Sequence, residues 1–250
     1  MPYEYVLRSS KGRELVALGV FHSKPPIERL VALWDGFLKH EGEMVAMAEG
    51  RLRPVPTSLE EAVARRGEVD AVQWLAHRDG VEAVFPEPSN TELITALKEN
   101  FNSEDVAFST IASRMSSRER TLPGLSADEA LKQIIEEHAK NSGVYGFTPT
   151  LEWFWGKFKS AFGEQSIDDR KFWSSIYDPF SDETIFNRIS AQRSRLRDLG
   201  ILNTIVKYWN EGRNIFFVYG HAHVVRLEPA LRALVAPIPN LSRRLTRLPR

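Results

Sequence analysis

Along the first hundred residues short apolar runs alternate with amphipathic stretches. Tyr3–Leu7 and Glu14–Val20 are β-prone runs separated by SSKG, a turn composition, which predicts a hairpin at the start of the chain. The second run is almost wholly apolar and so predicts a strand covered on both faces. In PPIERLVALWDGFLKH the spacing of Ile27, Leu30, Val31, Trp34 and Leu38, after prolines suited to a first helical turn, predicts a helix. Met44–Ala48 reads as a short apolar strand. Ser58 and Glu61 form a capping box for a helix that Gly67 stops, and Val69–His77 makes another amphipathic helix. A strand over Val81–Phe85 follows the turn at Asp79 and Gly80, and the cluster Ser89, Asn90, Thr91 starts a helix that runs to Glu99.

From about Phe101 to Asp178 the period-2 signal disappears. Helical stretches follow one another there, one of them opened by a capping box of Ser126 and Glu129. Nine aromatic residues fall within 151–180, among them Trp153, Phe158 and Trp173. Such density predicts either a helical subdomain packed on its own core or a lid that offers apolar contacts to a ligand. A long helical stretch then leads into the apolar run Asn214–Tyr219, and Leu227–Val235 closes the fold as a helix. Strands alternating with helices predict an α/β fold: a mainly parallel or mixed central sheet flanked by helices, with a largely helical insertion in the middle of the chain. The implied organisation is residues 1–100 and 181–250 as the two halves of the α/β core, with 101–180 as the insertion.

Composition adds exclusions. With 33 Lys and Arg against 33 Asp and Glu, no overall field gathers nucleic acid or an anionic membrane. The Arg-rich tail, Arg243–Arg250, reads as a solvated terminus. There are no cysteines, so disulfides, thiolate metal sites and cysteine nucleophiles are excluded. No apolar run nears the roughly 20 residues a membrane helix needs, and charges interrupt any signal-peptide core, so a soluble cytoplasmic protein is expected. Phosphate-cradling glycine loops and the G-x-S-x-G nucleophile elbow are also missing.

Four apolar strands each run into an ionisable residue: His22 after LVALGVF, Glu49 after MVAMA, Glu87 after VEAVFP, and His223 after IFFVYGHA. In open α/β sheets ligands bind beyond the carboxyl ends of the strands, so these four side chains are expected to share a site. Plainer roles exist for each carboxylate: Glu87 could serve a helix N-terminus and Glu49 could pair with Arg51 or Arg53. Gly19–His22 and Gly220–His223 repeat one spacing, Gly-x-x-His, in which glycine allows close backbone approach. If the last strand stays extended, His221 shares a face with His223 and offers a further ligand.

An early Gly-x-x-His after a strand, Glu-Gly after the next, and a late strand with a second Gly-x-x-His together resemble the superfamily of Tiki proteases, TraB and GumN proteins, ChaN-type haem-binding proteins and erythromycin esterases. The C-terminal part carries the likeness best: Arg197 and Asp198, then the helix ILNTIVKYWNEG, then NIFFVYGHAHVV. The likeness covers about residues 14–100 and 185–235, not the middle block. It implies a pocket of His22, Glu49, Glu87 and His223, with Arg197 as an anion or carboxylate partner. Two departures stand out: His221 occupies a place where a small residue is common, and the signal or anchor of Tiki and GumN members is not expected from this sequence.

The expected function is a hydrolase acting on a peptide, ester or similar bond of a small-molecule or peptide substrate. Its metal-dependent form holds manganese, cobalt, iron or zinc on His22, His223 and one glutamate, with His221 as an extra candidate and the other glutamate as general base. Its metal-free form activates water with His and Glu. Arg197 would steady an oxyanion. A haem, iron or small-ligand binding protein without turnover is the alternative, and an interaction protein with a decayed site is a third; self-association stays open.

Overall fold

The structure, a computed structural model, describes residues 3–21, 26–140 and 142–236, without the side chains at 119, 120, 170 and 174. The elements run β1 (Tyr3–Arg8), β2 (Glu14–Val20), α1 (Ile27–Phe37), β3 (Met44–Ala48), α2 (Leu59–Arg66), α3 (Glu68–Arg78), β4 (Glu82–Val84) and α4 (Asn90–Lys98). The middle is helical: α5 (Ser103–Ser116), α6 (Arg118–Thr121), α7 (Ala127–Ala139), α8 (Ser142–Tyr145), α9 (Leu151–Phe162) and α10 (Arg170–Ile176). The long α11 (Ile185–Asn210), β5 (Asn214–Gly220) and α12 (His221–Val235) complete the chain. This is the α/β fold with a helical middle that the alternation of periods predicts. The Arg-rich tail lies outside the described residues. No helix among the described residues is long and apolar enough to cross a membrane.

Two compact units divide the chain. One comprises residues 1–87 with 198–250, the other residues 88–197. The second therefore takes in α4 and the first part of α11, both of which the sequence reading assigns to the flanking halves. Amphipathic helices advertise that they bury a face but not which core receives it.

In the first unit five strands form one sheet in the order β1-β2-β5-β3-β4. The hairpin is present: β1 runs antiparallel to β2 with Tyr3 opposite Gly19 and Arg8 opposite Glu14. All other pairings are parallel, β2 with β5, β5 with β3 and β3 with β4. Every residue of β2 is buried, as its almost wholly apolar run predicts. Alternation along the strands divides the core in two. Leu15, Ala17, Met47, Phe217 and Tyr219 pack with Ile201, Ile205 and Trp209 of α11 and with Leu227 and Leu231 of α12. Val16, Leu18, Ala46, Phe216 and Val218 face the other way, toward Trp34 of α1 and Leu75 of α3. The fourth strand departs from expectation: β4 is three residues long, half-exposed and at the sheet edge, not a buried strand. A short edge strand leaves few unpaired backbone groups open to another chain, which suits the place of β4.

The second unit is packed on aromatic rings. Phe108, Phe154, Phe158 and Trp173 are all at most 2% exposed and share one cluster with Ile111, Met115, Leu131 and Ile134. The Trp173 indole N–H donates to the Ile167 carbonyl at 2.7 Å. Here the core role of the aromatic block is realised, except at Phe180, which is 82% exposed.

Candidate metal centre

The parallel register carries three strand ends to one edge of the sheet. Ala48 of β3 pairs with Val218 of β5 and Met47 pairs with Val84 of β4, so the residues that follow each strand emerge side by side. Glu49 is the first residue after β3. Gly50 turns the chain there at φ +96°, a left-handed conformation that favours glycine. Glu87 follows β4, just ahead of α4, whose start is fixed by a reciprocal capping box of Ser89 and Glu92.

His223 arrives differently from the way its sequence suggests. The strand ends at Gly220, and α12 begins at His221, six residues before the predicted closing helix. Two positions apart on a helix is about 200° of rotation, so His221 and His223 point to different sides. His221 stacks on Phe21 at 4.7 Å between ring centroids and meets the Tyr3 ring edge-on at 5.7 Å. The extended strand that would have made His221 a second ligand on the same face is thus absent.

Glu49, Glu87 and His223 come together. Each offers one ligand-type atom, and these atoms lie within 4.8 Å of one another. The two glutamates are half-buried and His223 is buried. Glu49 accepts a hydrogen bond through Oε2 from the Gly220 backbone N–H at 3.1 Å, the amide that precedes the first turn of α12. A carboxylate at a helix start is favoured by the partial positive charge there.

Two residues behind the histidine hold it. The Nδ1 atom of His223 stands 2.5 Å from Oδ1 of Asp198, on α11. Asp198 accepts a second hydrogen bond through Oδ2 from Nε of Arg226 at 2.7 Å. Burial pushes the Asp198 carboxyl up, but hydrogen bonds from His223 and Arg226, with their charges, outweigh it, and the group titrates below the usual carboxylate range. Tyr219, at the end of β5, presents its ring edge-on to His223 at 6.0 Å between centroids.

Of the residues expected in the site, Glu49, Glu87 and His223 are brought together. His22 lies outside the described residues. Arg197, half-buried on α11, is the last residue of the helical unit, while the three ligand-type side chains belong to the sheet unit. Arg226 carries no motif signal beyond its place three residues after His223, which puts it on the same helical face. Asp198 figures in the sequence only as a polar residue after Arg197.

The donor set fits a divalent ion. Two carboxylates and one imidazole are hard-to-borderline ligands that suit manganese, iron, cobalt or zinc. Atoms bound to one ion at about 2.1 Å lie roughly 3 to 4 Å apart, so a separation within 4.8 Å needs only small side-chain rotations to close. Comparison with protein-family models, with curated proteins and with solved structures finds no match for this chain.

Proposed function

We propose that this chain is a hydrolase that cleaves a peptide, ester or similar bond with a divalent metal held at Glu49, Glu87 and His223. The convergence of these three side chains within 4.8 Å is the observation that carries the reading. It agrees with the resemblance to the Tiki, TraB, GumN and erythromycin esterase superfamily, and His22 is the remaining ligand candidate from that resemblance.

Bound there, a divalent ion supplies Lewis acidity, which polarises a substrate carbonyl and brings the pKa of water toward neutrality. The chain's own groups do the rest. His223 presents Nε2, because Nδ1 is engaged by Asp198. Glu49, steadied by the Gly220 amide, holds a fixed orientation and serves as a ligand. Glu87, three residues beyond the short edge strand β4, in this reading supplies the second carboxylate of the donor set.

The test is a panel of peptides and esters offered to protein stripped with a chelator and then reloaded with manganese or cobalt. Hydrolysis is expected only in the reloaded protein, with a loss of at least about 100-fold in Glu87→Gln. Turnover that survives both stripping and His223→Ala at full rate contradicts the proposal.

A further inference from the structure

Asp198 and Arg226 touch His223 at Nδ1, and neither belongs to the Gly-x-x-His or strand-end glutamate pattern. His223 Nδ1 faces Asp198 Oδ1 within hydrogen-bond distance, and a carboxylate oxygen and an imidazole nitrogen pair favourably only when one of them carries a proton. The other carboxylate oxygen already accepts from Arg226 Nε at 2.7 Å, and Arg226 Nη2 also reaches Oδ1 at 3.3 Å. A carboxylate gripped by a guanidinium fork is ionised, so the proton sits on Nδ1. Arg226 Nη2 also lies 3.2 Å from Nδ1, but two donors make no hydrogen bond with one another, and this approach follows from both converging on Oδ1.

We propose that Asp198 and Arg226 are a positioning pair that locks His223 in its Nδ1–H tautomer and turns the Nε2 lone pair toward Glu49 and Glu87. The inference rests on the metal reading for what Nε2 binds, but the tautomer is a property of the chain alone. Arg226 has a separate part. By occupying both Asp198 oxygens it fixes the carboxylate plane and cancels its charge, so the ion's field is set by the two glutamates and not by a third acid. Both residues stand on helices, Asp198 on α11 and Arg226 one turn beyond His223 on α12, which suits fixed orientation better than a loop would.

Two measurements on the full chain test this, each with folding checked by thermal melting. The first is the imidazole nitrogen-15 spectrum of metal-free protein, with His223 assigned by its loss in His223→Gln. Wild type is expected to show Nδ1 protonated. Asp198→Asn is expected to move the proton to Nε2, because the side-chain amide can donate to Nδ1 where the carboxylate can only accept. The second is calorimetric titration with manganese chloride, in which Asp198→Asn and Arg226→Gln are expected to weaken binding about 10- to 100-fold. An Nε2-protonated His223 in wild type overturns the positioning role whatever the metal result. Wild-type manganese affinity in both variants overturns it as well. Should wild type bind no manganese while showing Nδ1–H, the metal reading fails and the tautomer lock stands. If Asp198→Asn does not fold, Arg226→Gln is judged by the same two readouts.

Discussion

Gly19 lies against the backbone of His221. A Cβ placed on Gly19 would sit 3.2 Å from the His221 Cα, 3.3 Å from the Tyr3 carbonyl oxygen and 3.3 Å from Val224 Cβ. Two of these neighbours are backbone atoms that cannot swing aside. The first Gly-x-x-His thus owes its glycine to the docking of α12 on β2, the same helix whose first turn carries His223. Gly19→Ala is expected to cost about 1 to 3 kcal/mol, read as a lowered denaturant midpoint. Because the strain falls on the start of α12, it should also weaken manganese binding. An alanine variant with wild-type stability would show that this contact is loose.

The two glutamates are expected to act as ligands and not as fold elements. Glu49→Gln and Glu87→Gln each remove a charge from a half-buried side chain while keeping its volume. Melting temperature should stay within a few degrees of wild type, whereas manganese affinity should fall by a factor of ten or more for each. Equal affinity in both variants would assign the carboxylates to structure.

Acid should loosen the helical unit through His138. This residue is buried, its Nδ1 lies 2.9 Å from the Tyr145 hydroxyl, and its pKa is pushed from 6.5 down to about 4, first by burial and then by the Arg114 charge. Its folded pKa is below the unfolded one, so the unfolded chain takes up a proton that the folded chain refuses. Stability is full above about pH 6.5 and falls as pH drops toward 4, where the loss levels off. His138→Gln is expected to flatten that part of a plot of unfolding free energy against pH. An unchanged slope would place the acid sensitivity elsewhere.

The aromatic block separates core from substrate wall. Phe158 is 2% exposed and packs against Phe154, Phe162, Phe172 and Trp173. Phe158→Ala is expected to cost about 3 to 5 kcal/mol by unfolding, with manganese affinity intact in the protein that remains folded. A variant of normal stability that has lost only turnover would instead mark a ligand-contacting wall.

The sheet was legible because its strands announce themselves. The almost wholly apolar run of β2 and the run of β5 are buried at nearly every position, and the hairpin turn at SSKG sets β1 against β2. A parallel sheet points all its carboxyl ends the same way, which brings Glu49 and Glu87 to one edge, and His223 joins them from the first turn of α12. What stayed hidden depended on backbone direction or distant pairing. The apolar pattern of GHAHVV does not say that a strand stops at Gly220, and helix geometry, not residue type, sends His221 toward Phe21. Asp198 and Arg226 are 28 residues apart in the chain and join only because α11 and α12 pack on the same face of the sheet. No local spacing signals such a pair. β4 is shorter than its sequence suggests because its neighbours Val81 and Phe85 continue the apolar pattern beyond the ladder.

Crystals of the full chain soaked in manganese chloride, with diffraction recorded near the manganese absorption edge, address the site itself. One anomalous peak bonded to Glu49, Glu87 and the Nε2 of His223 at about 2.1 to 2.3 Å is the expected map. A map with no peak among these three side chains at saturating manganese, or with His223 turned to offer Nδ1, would contradict the account.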